Sequence, residues 1–555
     1  MEQKTEQTET HLLSGEEQKL IAPFVTNLEK RVFCLRNLPE VVKGALFSRY
    51  SRSTKSLRRI LLDEFINVPE MGFKEIVGER ADAGNEIVAI KKAEEFYDRV
   101  LVGYGDDSVA ELGGAHIACE DVSIVASKVL EDSRIGLSPL EKSTRYVYFD
   151  EKVGEKYKYF REPKIMESGL AALYQKTCDK LFDVYSKTVP PLTQYVCERF
   201  PQQEGVSDRA YKSTVRAKVC DVLRGLLPAS TLTNVGIFGN GRAFEYLLAK
   251  MYASDLTEIK VLAASMHEEL GKVIPSFVKR ANDKYGLQQQ EYWRASAESA
   301  SSLAKQITRS TPDFSNNHLA RSVELVDCEP EESALEKICS AILHQYSQIG
   351  LTKIRQIISG MNEGERRELV RAYVGTRGNR RNKPGRAFET VQYTFDLVGN
   401  FGMYRDLHRH RILTQQRQAF GVSLGYDVPP ELVEAGFGGE FDECMQQARE
   451  AFKQIHYELP LEAQYAVPLA YRIRWSVTLN LRAAFHLIEL RSMPQGHRDY
   501  RKMVQQIYYE IKRMHPFLAE FMNFVDLRDY PFLERLESEK KIDKKIEEIE
   551  KKYGQ

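Results

Sequence analysis

The sequence lacks most features that would assign it to a special class of protein. Its 555 residues include only 2 tryptophans, and 79 basic side chains are balanced by 79 acidic ones. No run approaches the eighteen or so uncharged apolar residues of a membrane-spanning helix, which excludes a transmembrane protein. Zero net charge removes the general attraction to phosphate backbones expected of a non-specific nucleic-acid binder. The remaining composition, 43% hydrophobic and 28% charged, is typical of a globular protein.

The distribution of cysteine and glycine excludes several common sites. No two of the 8 cysteines form a C-x-x-C pair, so neither a metal site nor a disulfide framework is expected, and a cytoplasmic location is predicted. The polar, acidic N-terminus is unlike a signal peptide. The segments GYGDDS (103–108) and GIFGNG (236–241) complete neither G-x-G-x-x-G nor a P-loop, so both are interpreted as turns.

Two pairs of similar segments, in the same order, indicate an internal duplication. ALFSRYSRSTKSLRRIL (45–61) resembles AILHQYSQIGLTKIRQII (341–358), and LLPASTLTNVGIFGNGRAFEYLL (226–248) parallels AVPLAYRIRWSVTLNLRAAFHLI (466–488). Chance could produce one such pair, whereas two in the same order favour a duplicated chain.

We therefore predict two domains. The first, 1–320, contains a connector from about 288, and the second, 321–555, ends in a charged, solvated helix. Apolar residues recur mostly at helical spacing, and strand-like runs are few, the best being STRYVYFD (143–150) and AFETVQYTFDLV (387–398). The predicted fold class is α+β, mostly helical, with a small sheet in each domain.

The segment RDLHRHRILTQQRQAF (405–420) is unusually basic. Arg409, His410 and Arg411 are consecutive, and burying arginine is costly unless an anion accompanies it. Guanidinium groups bind phosphates bidentately, and imidazole can stack on a ring system. No carboxylate or cysteine stands at metal-ligand spacing, so an anion site and a solvated face remain the two interpretations.

A second segment, SRIGLSPLEKSTRYVYFD (133–150), alternates hydroxyl, acid and base. Glu141, Ser143 and Arg145 lead into the predicted strand. A capped loop explains this pattern equally well, because Ser-x-x-Glu is common at the start of a helix.

Together the two segments resemble the signature of the flavin-dependent thymidylate synthase family, RHR-x-x-S-x-N-E-x-S-x-R-Y. RHRILTQQRQAFG aligns with it without a gap and keeps RHR, and SRIGLSPLEKSTRY keeps Ser138, Glu141, Ser143, Arg145 and Tyr146. Upstream, the family's P-F-E element resembles 387–389 and 109–111. Downstream, its Arg, Pro, N-x-R and late Arg resemble positions in both copies, so the resemblance covers nearly the whole chain.

The two copies retain complementary parts of that signature. The second copy keeps RHR and the late arginine, namely Arg409, His410, Arg411 and Arg491. The first copy keeps the Glu-x-Ser-x-Arg part and the early arginine, namely Glu141, Ser143, Arg145 and Arg224. Met251 replaces the late arginine of copy one, and Gln464 replaces the early arginine of copy two. The family builds its sites between subunits, so the resemblance implies a pseudo-dimer with one complete composite site.

The resemblance implies an enzyme that methylates C5 of a uridine nucleotide, converting dUMP to dTMP with FAD, methylenetetrahydrofolate and NADPH. By the same resemblance, Arg491 and Ser143 act at the pyrimidine. The implied nucleotide-binding residues are Arg409, Glu141, Ser143, Arg145, Arg224 and Arg491. The implied flavin-binding residues are Arg409, His410, Arg411, Glu141, Asn480, Arg482 and His486. A homodimer, equivalent to the family tetramer, is expected.

Two departures keep the substrate open. Asp406 stands where the family has Gln, and His486 stands where it has a flavin-contacting Asn. The alternatives are a different uridine, such as one in RNA or DNA, and a non-catalytic nucleotide- or flavin-binding scaffold. The Arg-rich segment TRGNRRNKPGR (376–386) would track a nucleic-acid backbone in the first alternative and is otherwise a solvated loop.

Overall fold

The computed structural model describes residues 13–67, 109–308, 322–530 and 533–553. The fold is α+β and mostly helical, which confirms the predicted fold class. The strands are β1 (Gly114–Ser123), β2 (Leu137–Glu141), β3 (Lys152–Val153), β4 (Lys156–Tyr157), β5 (Leu232–Asn240), β6 (Ser322–Cys328), β7 (Gln392–Asn400), β8 (Thr414–Arg417) and β9 (Arg472–Asn480).

The α-helices are given in chain order. Those before the connector are α1 (Gly15–Ile21), α2 (Glu40–Tyr50), α3 (Leu57–Ile60), α4 (Ile124–Asp132), α5 (Pro163–Met166), α6 (Ala171–Arg199), α7 (Asp208–Leu223), α8 (Gly241–Tyr252), α9 (Thr257–Gly271) and α10 (Pro275–Val278). The connector helix and those after it are α11 (Lys284–Thr308), α12 (Glu331–Tyr346), α13 (Leu351–Gly360), α14 (Glu363–Val374), α15 (Phe401–Leu407), α16 (Pro430–Glu434), α17 (Gly438–Glu458), α18 (Leu481–Arg491), α19 (Arg498–Met514), α20 (Pro516–Ala519) and α21 (Leu536–Tyr553).

The two larger sheets repeat one arrangement. β5 is the central strand of β1-β5-β2, and β9 lies between β7 and β8 in the sheet β6-β7-β9-β8. Ser138 pairs with Phe238 across β2 and β5, and Thr414 pairs with Thr478 across β8 and β9. Because Phe238 and Thr478 hold equivalent places in their strands, the register aligns Ser138 with Thr414, as the sequence comparison predicts.

The helices repeat in the same way. α2 ends at Tyr50 and α12 ends at Tyr346, the two Tyr-Ser positions matched in the sequence. Asn240 and Asn480 follow the equivalent strands, and each side chain accepts a hydrogen bond from the third helical residue of α8 or α18. An Asn side chain at this position satisfies a backbone N–H that has no partner within the helix. The structure thus contains the predicted duplication.

Equivalent residues of the two copies meet at a local two-fold arrangement. Pro228 and Pro468 form an isolated antiparallel bridge. On either side, the Ala229 N–H donates to the Val467 carbonyl, and the Leu469 N–H donates to the Leu227 carbonyl, each at 2.9 Å. The two matched segments of the sequence therefore pair with each other.

The described chain forms two compact units that do not follow the two copies. One comprises residues 1–120, 129–141 and 234–311, and its core includes Phe277, which is 1% exposed. The other comprises 121–128, 142–233 and 312–555, and its core includes Trp475 on β9, also 1% exposed. The second unit therefore contains copy two together with a large part of copy one.

Several local predictions need correction or extension. Residues 143–150 are not a strand, because β2 ends at Glu141 and the chain then turns, with the Arg145 N–H donating to Ser143 Oγ at 3.2 Å. The strand expected at 387–398 begins only at Gln392 and follows a 3-10 helix. The segment 236–241 is not a turn as predicted, because residues 236–240 belong to β5 and Gly241 begins α8. The connector is partly helical, as predicted; its part beyond Thr308 and the segment 103–108 lie outside the described residues.

The charged C-terminal helix is not wholly solvated as expected. Glu539 in α21 is buried, and Arg209 of α7 donates to Glu539 Oε2 at 3.0 Å. Arg209 also pairs with Asp543, one turn further along α21. The first turns of α21 therefore pack on α7, because its acidic face meets a basic residue of that helix.

Candidate functional site

Arg145 is locked in place by residues of both copies. Its Nε and Nη2 donate to the two carboxylate oxygens of Asp221 on α7, each at 2.8 Å. Its Nη1 donates to the hydroxyl of Tyr500 on α19 at 3.2 Å, and Nη2 also reaches the carbonyl of Gln495. Because bidentate pairing is strong and directional, Asp221 fixes this guanidinium.

Arg224, just beyond the end of α7, pairs with the second copy. Its Nη1 lies 2.9 Å from Asp406 Oδ2 on α15, and the two side chains are 5% and 15% exposed. Arg405, the preceding residue of α15, donates to Thr144 Oγ1 at 3.3 Å, so α15 contacts the first copy at two points. The second compact unit therefore brings Arg145 and Arg224 of copy one together with α15 of copy two.

Arg491 ends α18 and approaches the same cluster. Its Nε donates to His410 Nε2 at 2.8 Å. Burial and the charge of Arg491 lower the pKa of His410 well below its usual value, so this imidazole is neutral and can accept the hydrogen bond. The guanidinium carbons of Arg491 and Arg145 each lie 5.6 Å from the centre of the Tyr500 ring. Tyr500 thus lies close to an arginine of each copy.

Asp406 is the electrostatic centre of this arrangement. Its burial would raise the pKa of the carboxyl group, but four nearby guanidinium groups outweigh that effect and lower the pKa far below its usual range; they belong to Arg224, Arg145, Arg409 and Arg491. Two of the four come from each copy. Asp406 is therefore ionised across the physiological pH range.

A second group of cations surrounds His486 on α18. Burial lowers the pKa of His486, and Lys383 and Arg380 lower it further. Burial together with Arg482 and Arg380 also lowers the pKa of Lys383, because these positive charges repel each other. The His486 and His410 rings lie 5.4 Å apart, centre to centre. This part of the site carries excess positive charge.

The Arg-rich segment 376–386 has a structural role as well. Both terminal nitrogens of Arg377 donate to the Glu489 carboxylate, at 2.7 and 2.6 Å, and the two side chains are 2% and 1% exposed. This buried pair ties the segment to α18 and holds it beside His486.

The other predicted residues occupy different surroundings. Glu141 is buried at the end of β2 and belongs to the first compact unit. Asn480 caps α18, Arg409 is half-buried and Arg411 is exposed. Arg482 donates to the Pro384 carbonyl at 2.8 Å and pairs with Glu389 at 3.4 Å. Within the described ranges, no group of acidic, histidine or cysteine side chains could hold a metal ion.

The Glu389 contact has a counterpart in copy one. Arg242 pairs with Glu111 at 2.9 Å, in the same relation to its strand and helix as Arg482 to Glu389. Both glutamates lie in short 3-10 helices. The P-F-E and N-x-R elements therefore contact each other in each copy, although only copy two retains Arg491.

The positions where the copies differ show what replaced the lost groups. Met251, the counterpart of Arg491, is fully buried in α8. Gln464, the counterpart of Arg224, donates to the Leu461 carbonyl at 2.7 Å. These residues make ordinary packing and backbone contacts where the other copy has guanidinium groups.

Sequence reasoning missed several residues of the cluster. Asp221 could have been found from the sequence, because it lies three residues before Arg224 near the end of one amphipathic helix. Tyr500 had none, since it is 355 positions from the Arg145 that it contacts. His497 also lies here; its Nε2 is 3.3 Å from the Asp221 carbonyl, and a cavity of about 250 Å³ borders His497, Asp221 and Arg224.

Comparison with known proteins identifies the family. The family model described as thymidylate synthase complementing protein matches residues 62–276 and again 324–517. The chain belongs to the thymidylate synthase complementing protein family. The two matched segments confirm the tandem duplication, with one family domain in each copy.

Relatives match this chain over nearly its whole length. A UPF0159 protein of Chlamydia pneumoniae is 44% identical over 515 residues, which cover 92% of this chain and 95% of that protein. A UPF0159 protein of Thermoplasma acidophilum is 36% identical over 521 residues, covering 90% and 97% of the two chains. Both matches extend across the two family domains.

Among solved structures, the chain is similar to a UMP/dUMP methylase of Streptomyces cacaoi bound with 5-Br dUMP. The match has 18% sequence identity and a TM-score of 0.30, and it covers 36% of this chain and 94% of that one.

In the part of this chain that the structure describes, none of the helices combines the length and apolar character needed to cross a bilayer.

Proposed function

We propose that this protein methylates C5 of a uridine nucleotide, with dUMP as substrate and dTMP as product. FAD, methylenetetrahydrofolate as carbon donor and NADPH as reductant complete the proposed reaction. Family membership supports this reaction class. The proposed site is composite, because groups of both copies contribute to one substrate pocket. The proposed location of the enzyme is the cytoplasm.

One observation carries the proposal. Guanidinium groups from both copies converge on Asp406, with Arg145 and Arg224 from copy one and Arg409 and Arg491 from copy two. A cluster with more cations than carboxylates suits a ligand with a phosphate at one end and an ionisable ring at the other. The complementary losses in the two copies support one such cluster per chain.

Arg491 is proposed to polarise the pyrimidine. Its Nε is held by neutral His410, and among the described residues neither terminal nitrogen has a hydrogen-bond acceptor. These two donors can bind the ring carbonyl and stabilise its N3-ionised form, which makes C5 nucleophilic. His410 and the Tyr500 ring then act as positioning residues, since both contact the guanidinium rather than the substrate.

The residues around His486 fit a flavin dinucleotide. Arg380, Lys383 and Arg482 form a cluster of positive charge beside His486, and a diphosphate would neutralise it. His486 and His410 offer edges and faces for a flat ring. When bound, FAD supplies the redox chemistry of methyl transfer, while these side chains bind and orient it. Arg409 and Arg411 are further candidates for this role.

The remaining assignments rest on the family resemblance. Ser143 is proposed to lie over the pyrimidine, and Glu141 and Asn480 to contact nucleotide and flavin. The proposed assembly is a homodimer, in which two chains reproduce the four domains of a family tetramer. Because Arg377 forms a buried ion pair with Glu489, the 376–386 segment offers fewer cations to a nucleic-acid backbone than its sequence suggests.

The test begins with purified protein reconstituted with FAD. The visible flavin absorption is measured first, and dTMP formation is then followed from dUMP, NADPH and methylenetetrahydrofolate labelled in its methylene carbon. The proposal predicts a flavin band and label in dTMP. A protein that takes up no FAD would favour the scaffold, and label transferred only to uridine in RNA or DNA would favour the alternative substrate.

A further inference from the structure

Arg145 and Arg224, both assigned to the nucleotide phosphate, have different bonding states. Arg145 uses all three of its nitrogens, on Asp221, Tyr500 and the Gln495 carbonyl. A phosphate could reach it only by displacing a bidentate carboxylate. Arg145 is thus better described as a fixed part of the site wall than as a phosphate ligand.

Arg224 has a spare donor. Its Nη1 pairs with Asp406, whereas its Nη2 is buried and has no hydrogen-bond partner in the described part of the chain. Leaving a buried charged donor unsatisfied costs free energy, so such a group indicates a missing acceptor. The 250 Å³ cavity that borders Arg224 is lined by further cations, Lys218, Arg498 and Lys502, and by carboxylates that include Asp221, Asp427 and Asp499.

Asp406 occupies the other side of that guanidinium and belongs to copy two only. The backbone bonds Phe401 N–H to Tyr471 carbonyl and Ile124 N–H to Thr231 carbonyl are equivalent, at 2.9 and 3.1 Å. Phe401 and Ile124 are therefore equivalent, and the same number of residues further along each helix makes Val129 of copy one the counterpart of Asp406. The carboxylate therefore occurs in the composite site and not in its degenerate counterpart.

We propose that Asp406 is an internal competitor for Arg224 that makes the site selective for a uridine with a terminal, doubly charged 5′-phosphate. This inference rests on the proposed function and specifies its substrate class. A phosphodiester carries one negative charge, as does the carboxylate that it must displace, and gains nothing by the exchange. A phosphate monoester carries nearly two charges at neutral pH and three acceptor oxygens, so it can bind both nitrogens of Arg224.

Displacement of Asp406 is feasible because the carboxylate has other partners. Arg409, Arg491 and Arg145 also act on it, so it stays within a positive environment after Arg224 turns to the phosphate. A ligand that cannot displace it still binds through its ring, with the affinity of the unphosphorylated nucleoside. The carboxylate thus denies a phosphodiester-linked uridine the added affinity that the 5′-phosphate gives to the free nucleotide.

The test compares three probes on the FAD-loaded, full-length protein by calorimetry: deoxyuridine, dUMP and the 5′-phosphate methyl ester of dUMP. For the unmodified protein, we expect dUMP to bind at least about tenfold more tightly than the other two, which should bind alike. In Asp406→Asn, the ratio of the affinities for the methyl ester and for deoxyuridine should rise about tenfold. Asp406→Gln should give the same result and guards against a folding defect of one variant.

Asp396→Asn is the matched control, because it also removes a carboxylate charge from an ion pair, with Arg474, but lies outside the lining of the cavity beside Arg224. It should produce no gain for the methyl ester. The proposal is overturned if the methyl ester binds the unmodified protein as tightly as dUMP, if it gains nothing in either Asp406 variant, or if those variants weaken dUMP. Binding of none of the three probes would overturn the proposed function and this inference together, whereas the preceding outcomes leave the proposed function standing.

Discussion

Arg224 of the first copy and Asp406 of the second form an ion pair of 2.9 Å that is almost completely buried. Neither residue has a charged counterpart in the other copy, where Gln464 and Val129 stand. The pair is therefore a feature of the duplicated chain and not of a single family domain. It explains why an acidic residue is tolerated among groups that would otherwise receive a phosphate.

Arg491 of copy two and its counterpart Met251 of copy one provide a direct test of the difference between the two copies. Arg491→Ala removes the charge-assisted contact that we propose to the substrate. Such a contact typically contributes about 1.5–3 kcal/mol, so turnover should fall about ten- to hundredfold or more. Met251→Ala should leave turnover unchanged per folded molecule and should lower the free energy of unfolding by about 2–5 kcal/mol, because Met251 is fully buried. Kinetic assays and denaturant unfolding separate the two effects. Equal catalytic defects would contradict the assignment.

FAD binding should depend on pH through His486. Burial and neighbouring cations lower the pKa of His486 in the free protein. A bound diphosphate offsets the repulsion and raises that pKa, so binding takes up a proton, and FAD affinity should increase as pH falls toward the pKa of the bound state. Flavin fluorescence titrations at several pH values would measure this trend.

Two variants control that measurement. His486→Asn should flatten the pH dependence, and Lys383→Ala should weaken FAD binding about tenfold by removing one charge-assisted contact. An affinity that rises with pH would show that the cations around His486 do not face the flavin diphosphate.

The pair Arg377 and Glu489 should contribute mainly to stability. Replacing Glu489 by Gln leaves an unpaired buried guanidinium, which should lower the free energy of unfolding by about 3–5 kcal/mol. Glu510→Gln is the matched control, because Glu510 pairs with Arg513 at the surface and the pair should contribute about 0.2–1 kcal/mol. Urea unfolding followed by circular dichroism gives both values. Similar losses in the two variants would exclude a special role for the buried pair.

The sequence predicted the repeats better than the local geometry around them. Matched positions such as Pro228 and Pro468 follow from residue spacing, and their pairing is a consequence of duplication. The sequence predicts a strand where the turn at Ser143 lies, because Arg145 and its aromatic neighbours alternate as strand residues do. In the structure, the guanidinium of Arg145 points inward to Asp221, and that tertiary contact overrides the local pattern.

The candidate site was predictable only where a family signature marked it. Asp406 was visible as a departure from that signature, but its pairing with Arg224 depends on contacts between distant segments. Lys383 lay in a segment that resembled a solvated loop. It comes close to His486 because the buried Arg377 anchors that segment, and no local pattern indicated which of its arginines would be buried.

The two copies are proposed to build one substrate site per chain together. Arg145, Arg224, Arg409 and Arg491 all act on Asp406, whereas the degenerate combination would contain Gln464 and Met251 in place of two guanidinium groups. A dianionic phosphate is poorly held out of water without such partners. Calorimetric titration of dUMP into the FAD-loaded protein measures the number of sites directly. The account predicts one nucleotide per chain, and two equivalent nucleotides per chain would contradict it.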